Sequence, residues 1–329
     1  MNEDSSEAKK FLRRSEWRDC EVIPLPGDAS FRRYFRIRKG EQTAMLMHAP
    51  PPHEDVGPFL NVARWLHEKR LRAPSILAED RDAGFIILED FGNTRMREYL
   101  DENPQDEEAI YARAVDTLLR LHRMPPAPLP PYDLETYQRE ARLFVEWYCP
   151  YVGIEADVKA FEDAWTIALE PLLRRQSPGV TVLRDYHAEN IMLLNPGGTV
   201  QGEQGLIDFQ DALVGHPAYD LVSLLQDARR DVSPELERKM IARYRSEARP
   251  EDDFEADYAR LGAQRNTKIV GIFARLAERD RKPRYLAMIP RVWRQLERDL
   301  EHDALTPVRE WFDANIPQNI RDNAGGELR

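Results

Sequence analysis

The sequence predicts an α+β protein of two lobes, a small N-terminal antiparallel sheet with one helix followed by a larger, mainly helical C-terminal lobe. Three observations carry this. Short runs of β-branched and aromatic residues broken by turn signals crowd the first ninety or so positions. Beyond Gly92, apolar residues recur at helical spacing in one segment after another. At 329 residues the chain is also long enough for about two cores.

Taken in order, Cys20 to Leu25 reads as a strand, Pro26-Gly27-Asp28-Ala29-Ser30 as a turn and Phe31 to Arg38 as a second strand. Lys39-Gly40-Glu41 closes a hairpin to a third strand, Thr43 to His48, which Pro50-Pro51-Pro52 stops. From Pro58 to Lys69 the residues Phe59, Val62, Ala63 and Leu66 keep helical spacing, and Pro58 suits a first turn. Ser75 to Ala78 and Gly84 to Leu88 complete a five-stranded sheet. The N-terminal lobe is set at residues 1–91 and the helical lobe at 92–329.

In the second lobe Tyr111, Ala114, Val115, Leu118, Leu119 and His122 mark one helix face. Met124 to Pro131 is an extended, Pro-rich connector. Helices are expected at Leu134 to Tyr148, Asp157 to Leu173, Tyr219 to Ala228, Pro234 to Ala248, Phe254 to Arg279 and Arg284 to His302, with a frayed tail from Asn323.

Composition narrows the function classes. A formal charge of -11 argues against a nucleic-acid partner, because neutralising phosphates needs a surplus of Lys and Arg. With 32% charged residues, only two cysteines, no apolar stretch near the start and none of membrane-spanning length, a cytoplasmic protein is expected. No obligate protein partner is implied.

The chemistry is concentrated between Val182 and Leu213. Two short apolar runs, Ile191 to Leu194 and Gly205 to Ile207, flank a polar spacer and present Asp185, Asn190 and Asp208. An Asp that takes a proton, an Asn five residues on and an Asp ending a strand are what phosphoryl transfer needs. Asp185 would accept or orient the acceptor's hydroxyl proton. Asn190 and Asp208 supply the hard oxygens that Mg²⁺ prefers, and the metal offsets charge on ATP. Taken singly, each Asp also suits a helix N-cap or an Asx-turn.

The ordered set resembles the aminoglycoside phosphotransferase and choline kinase superfamily, which has a bilobal protein-kinase-like fold. Its catalytic loop usually reads H-G-D-x-H-x-x-N and its metal site I-D-[FW]-[ED]-x-A followed by G-x-P-x-x-D-L. The matches are Arg184-Asp185-Tyr186-His187-Ala188-Glu189-Asn190, then Ile207-Asp208-Phe209-Gln210-Asp211-Ala212, then Gly215-His216-Pro217-Ala218-Tyr219-Asp220-Leu221. The resemblance implies an ATP- and Mg²⁺-dependent phosphotransferase with an alcohol acceptor. It also implies that Asp220 accepts backbone N–H bonds beneath the loop and that His187 packs under it.

The nucleotide side departs from that pattern. Kinases of this type carry a third-strand Lys for the α and β phosphates, whereas Ala44-Met45-Leu46-Met47-His48 has none. The glycine-rich turn keeps one glycine, in Gly27-Asp28-Ala29-Ser30-Phe31-Arg32-Arg33. Nucleotide binding is therefore assigned to Ser30, Phe31, Arg32 and Arg33, with Glu89 and Asp90 at the hinge. One arginine takes the missing Lys role through bidentate phosphate contacts, or both are solvated strand residues.

At a finer level the chain resembles the anomeric kinases of cell-wall recycling, which phosphorylate N-acetylmuramic acid and N-acetylglucosamine at the C1 hydroxyl. The shared words are Ala29-Ser30-Phe31-Arg32-Arg33-Tyr34-Phe35, Met47-His48-Ala49-Pro50-Pro51, Gln264-Arg265-Asn266-Thr267-Lys268 and Gly271-Ile272-Phe273-Ala274-Arg275-Leu276. In that branch the third-strand Lys is likewise replaced, usually by Met. Arg265, Lys268, Arg275 and Arg279 fall on one helical arc that either meets a sugar carboxylate or is a solvated face paired with Glu278 and Asp280. The alternatives are a kinase for another small alcohol (an aminoglycoside, choline or homoserine) and a pseudokinase serving as a binding module.

Overall fold

The computed structural model describes residues 3–26, 31–194, 203–250 and 253–326. The chain divides into two compact units, Met1–Glu102 with Asn190–Asp211, and Asn103–Glu189 with Ala212–Arg329.

The first unit opens with helix α1 (Glu3–Arg13), which the sequence reading lacked. Its only apolar residues, Ala8, Phe11 and Leu12, form too small a patch among eight polar neighbours to stand out. The five expected strands are present as β1 (Glu21–Pro24), β2 (Arg33–Lys39), β3 (Gln42–His48), β4 (Ile76–Asp80) and β5 (Phe85–Glu89). They form one sheet in the order β1-β2-β3-β5-β4, with every pairing antiparallel. Because side chains alternate, Ile37, Ala44, Leu46, Phe85 and Ile87 share one face and close a core against Phe11 and Leu12 of α1. The opposite face carries Tyr34 paired with Met47 and Arg36 paired with Met45. Helix α2 (Gly57–Glu68) has Pro58 in its first turn and buries Phe59, Leu60, Val62, Ala63, Trp65 and Leu66.

Two pieces join this unit from beyond the boundary that the sequence reading placed after residue 91. One is helix α3 (Met96–Glu102). The other is an antiparallel hairpin, Ile191–Leu194 with Glu203–Leu206. The Leu206 N–H donates to the Arg72 carbonyl at 2.7 Å, and the Leu193 N–H to that of Thr94 at 2.8 Å. A Cβ on Gly205 would lie 2.5 Å from the Phe91 ring, so only glycine admits that ring against the hairpin.

The second unit is helical. Its helices include α4 (Glu107–His122), α5 (Leu134–Ala141), α6 (Val158–Arg175), α7 (Ala218–Leu225), α8 (Pro234–Ala248), α9 (Phe254–Glu278), α10 (Ile289–Leu300) and α11 (Thr306–Asn315). Side-chain caps set several starts: Asp133, Asp157 and Ser233 each accept the N–H of the residue three positions on. The helix expected over Leu134 to Tyr148 is interrupted, with Phe144–Tyr148 forming a wider π-type turn. The wider turn begins where the chain meets α9: a Cβ on Gly271 would lie 2.3 Å from the Leu143 carbonyl carbon, so only glycine lets the two backbones come this close. Phe144 lies in an aromatic core with Tyr148, Phe161, Trp293 and Phe312.

The expected helix from Arg284 begins as a 3-10 turn, Pro283–Met288, before α10. The tail is docked at least to Gly326, against the fraying expected from Asn323: the buried Tyr148 hydroxyl donates to the Gly325 carbonyl at 2.7 Å. Among the described residues no helix is long and apolar enough to cross a membrane.

Candidate active-site residues

In the first unit, the hairpin register sets two of the three predicted acids and amides side by side. Ile191 pairs with Leu206, and the Ile207 N–H donates to the Asn190 carbonyl at 3.1 Å. Asp208, one residue on, therefore lies beside Asn190, whose Nδ2 donates to Asp208 Oδ2 at 3.4 Å. Asp208 adopts a left-handed backbone with φ of 60°, a conformation that Asp tolerates and that turns its carboxylate out of the strand. Gln210 Nε2 reaches both Asp208 Oδ1 and Asp211 Oδ2 at 3.0 Å, which makes Asp211 a second acid of this cluster, one that the sequence motifs do not single out. It stands in the matched metal-site word, one place beyond the position where the motif carries its second acid, and that was the available signal.

The donor set fits Mg²⁺. One carboxylate and one amide oxygen are a normal protein share for an ion that keeps waters and takes phosphate oxygens for its remaining positions. Among the described residues no group of three or more His, Cys, Asp or Glu is placed to bind a metal without such help.

The two candidate arginines separate cleanly. Arg32 has its Nη1 3.7 Å from Asp208, its Nη2 3.9 Å from Asp211 and its Nε 3.3 Å from Glu54. Burial opposes its charge, but Tyr34, Asp208, Glu54 and Asp211 outweigh that and hold it more firmly protonated than usual. Arg33, the first residue of β2, is exposed and lies on the face shared with Phe35 and Ile37, opposite to Tyr34 and Arg36. On the Arg32 side, the third strand carries Met45 and Met47 and no lysine, and Arg36 stands directly across from Met45. Arg36 was not among the sequence candidates. It is committed to Asp90, with Nε 2.6 Å from Oδ2, and to the Gly92 carbonyl at 3.1 Å.

The predicted hinge side chains are thus engaged structurally. Glu89 accepts from Arg72 and from the Ser75 hydroxyl at 3.0 Å, and chiefly the Arg72 hydrogen bond holds its carboxyl down at about 2. Phe31 is exposed and its ring stacks on His53 at 5.2 Å. Ser30 lies outside the described residues, as does the turn 27–29.

In the second unit, Asp185 sits in the loop after the strand Val180–Val182. Asp220 of α7, wholly buried, accepts the Leu183 N–H at 2.7 Å and the Arg184 N–H at 2.8 Å, the support under the loop that the sequence predicts. Burial pushes the Asp220 carboxyl up to about 7 against the pull of those donors. Arg184 holds a left-handed backbone, φ of 70°, where the family motif carries glycine. Such strain costs a non-glycine residue about 1–2 kcal/mol.

Asp185 is surrounded by cations. Burial would raise its carboxyl, but Lys268 first, with Arg265 and Arg184, brings it below the ordinary value. Asp185 is therefore ionised at neutral pH. His187 is itself buried and, chiefly by desolvation, held neutral, with Arg229 Nη1 3.4 Å from its Nε2. That is a packed, supporting histidine. His122 is the same kind of residue: its Nδ1 lies 2.7 Å from the Tyr244 hydroxyl, and burial lowers its pKa to about 3.

The basic arc on α9 divides in two. Arg265, only 4% exposed, and Lys268 act on Asp185, and Lys268 also pairs with Glu140 at 3.0 Å. Arg279 pairs with its neighbour Asp280 at 2.7 Å on the surface, as the solvated-face alternative expects. Arg275 is half-buried, and its charge is disfavoured by desolvation and by Arg279. Lying seven and ten residues beyond Lys268 and Arg265, it is about 10–15 Å further along the helix axis.

Known proteins resemble this chain over most of its length. Residues 21–263 match the phosphotransferase enzyme family. An N-acetylmuramate/N-acetylglucosamine kinase from Caulobacter vibrioides is 38% identical, over 94% of this chain and 96% of that protein. One of the same name from Pseudomonas aeruginosa is 37% identical over 84% and 83%. Among solved structures, a choline kinase, LicA, from Streptococcus pneumoniae superposes with a TM-score of 0.65 at 14% identity, covering 93% of this chain and 99% of that one. An ADP-bound aminoglycoside phosphotransferase gives 0.59 at 16% identity, covering 89% and 97%. At such identities these two share the fold.

Proposed function

We propose, from the premise that this chain belongs to the phosphotransferase enzyme family, that it is an ATP-dependent kinase for an amino sugar. The acceptor we favour is the anomeric hydroxyl of N-acetylmuramate or N-acetylglucosamine. The observation that carries the choice is the 38% identity to a kinase of that name, running nearly end to end in both chains. An ionised Asp185 is in keeping with it.

The chemistry follows from the residues. Asp185 takes the proton of the sugar hydroxyl as that oxygen bonds to the γ-phosphorus. The bond from that phosphorus to the β–γ bridging oxygen breaks, and its electron pair leaves with ADP. Asn190 and Asp208 would hold Mg²⁺, which supplies charge neutralisation for the phosphates. Arg32 serves as the phosphate-binding cation in place of a third-strand lysine, with Glu54 steadying it as a carboxylate steadies such a lysine in other kinases. We place the reaction in the cytoplasm, where ATP is available.

Turnover tests the reading. The protein is incubated with Mg-ATP and, separately, N-acetylmuramate, N-acetylglucosamine, kanamycin and choline, and ADP is followed. Phosphorus NMR of the product then shows coupling to the C1 proton if the anomeric hydroxyl was the acceptor. ADP with kanamycin or choline but with neither sugar would overturn the acceptor, and no ADP with any alcohol would overturn the kinase.

A further inference from the structure

Glu140 belongs to no motif and to no candidate set, yet it is the hub of the charged groups around Asp185. It lies near the end of α5, 8% exposed. Three donors converge on its carboxylate from three other segments: Lys268 of α9 at 3.0 Å, Arg184 of the catalytic loop, and the hydroxyl of Tyr132. The Tyr132 hydroxyl is also 3.1 Å from that of Tyr219, and the Arg184 guanidinium lies over the Tyr132 ring, 5.5 Å from its centre.

We propose that Glu140 is a positioning residue for phosphoryl transfer, one that acts on Asp185 by holding Lys268 and Arg184 in place. The proposal rests on the kinase reading above. Three observations support it. Lys268 is the largest of the attractive charges on Asp185, and its ion partner is Glu140. Arg184 is the residue immediately before Asp185 and holds the left-handed backbone that the family motif gives to glycine. A glycine adopts that conformation without strain and needs no tether. An arginine there is strained, and the Glu140 ion pair offsets the strain while fixing the loop's geometry at the next residue. Finally, burying this many charges is a poor way to gain stability, since apolar residues of similar volume serve as well or better, so a cluster of them beside Asp185 is better explained by a role in the reaction.

The test compares kcat with KM across a small variant set. In Glu140→Gln, kcat is expected to fall about 10- to 100-fold while KM for ATP stays within about twofold, because loss of orientation strikes the transfer step. Glu140→Asp, which keeps the charge, should recover much of the loss. In an Asp185→Asn background, Glu140→Gln should cost less than about twofold more, because a residue acting through Asp185 has nothing left to position. A merely structural glutamate would instead lower the melting temperature and leave the two losses multiplicative. If Glu140→Gln alone does not fold, Glu140→Gln with Lys268→Met removes opposite charges together, and a kcat below that of Lys268→Met alone, at unchanged KM for ATP, reports the part that acts through Arg184. Wild-type kcat in either variant, or full multiplicativity with Asp185→Asn, overturns the proposal. Those outcomes leave the kinase reading intact, whereas a wild-type protein that turns over no alcohol sinks that reading first.

Discussion

The two units pose opposite electrostatic problems. In the first, the guanidinium of Arg32 faces three carboxylates, those of Asp208, Asp211 and Glu54. In the second, the carboxylate of Asp185 faces Lys268, Arg265 and Arg184, with Glu140 as counterweight. An acid-rich cluster with one arginine can take up a divalent cation and still share that arginine with a phosphate. A cation-rich cluster around one acid keeps the acid ionised though burial opposes it. The first arrangement suits binding and the second suits proton acceptance, so substitutions in the two should fail in different ways.

Removing the base should have the largest effect. Asp185→Asn is expected to lower kcat by about 10³- to 10⁴-fold with ATP binding retained, since it removes the proton acceptor and leaves the oxygen donors of the first unit untouched. Equilibrium ATP binding alongside turnover checks this, and an equal loss of both would erase the contrast. Asp208→Asn should reduce turnover by about 10²-fold or more and also weaken nucleotide binding in a Mg²⁺-dependent manner, because a charged metal ligand becomes neutral. Titrating Mg²⁺ at fixed ATP distinguishes the two variants.

Within the first unit, Arg32 and Arg33 should behave differently. Arg32→Ala is expected to raise KM for ATP about 10- to 100-fold, in line with loss of one charge-assisted contact of about 1.5–3 kcal/mol. Arg33→Ala should leave it within about twofold, since β2 directs that side chain to the opposite face. Equal effects from the two would mean that sheet alternation does not decide which arginine reaches the nucleotide.

That pair also shows how far the sequence can be read. The strands were legible because β-branched and aromatic residues alternate between turn signals, and the catalytic loop because its residues keep fixed spacing. Which of two adjacent arginines matters is a question of strand phase, and it needed the register of Tyr34 with Met47. Asp211 stood inside the recognised word but off the motif's own acidic position. Glu140 was invisible: it has no spacing relation to Asp185, and its partners come together only because α5, α9 and the loop before Asp185 meet in the fold. The arc on α9 was legible as a helical face, but its division between Arg265 and Lys268 on one side and Arg279 on the other depends on neighbours contributed by other segments. The interruption after α5 likewise sits at a contact with Gly271, more than a hundred residues away, that local spacing does not reveal.

The smallest expected effect concerns stability, and it tests whether the first unit's peripheral ion pairs matter apart from catalysis. Glu89 is held at about 2, chiefly by Arg72 and aided by Ser75, well below the ordinary glutamate value. A folded-state pKa that is depressed in this way contributes stability above the unfolded value, near 4.3, and loses it as pH falls toward 2. Glu89→Gln should therefore lower the urea midpoint modestly at pH 7, and the difference from the wild type should shrink as pH falls from about 4.5 toward 2. The side chain keeps about a third of its exposure, so solvent screening makes the effect smaller than that of a buried pair. A variant whose deficit stays constant over that range would assign the loss to packing at the end of β5 and not to the ion pair. A deficit that vanishes would show the first unit using the Glu89 charge for stability, in contrast to the proposed service of the Glu140 charge to the reaction in the second.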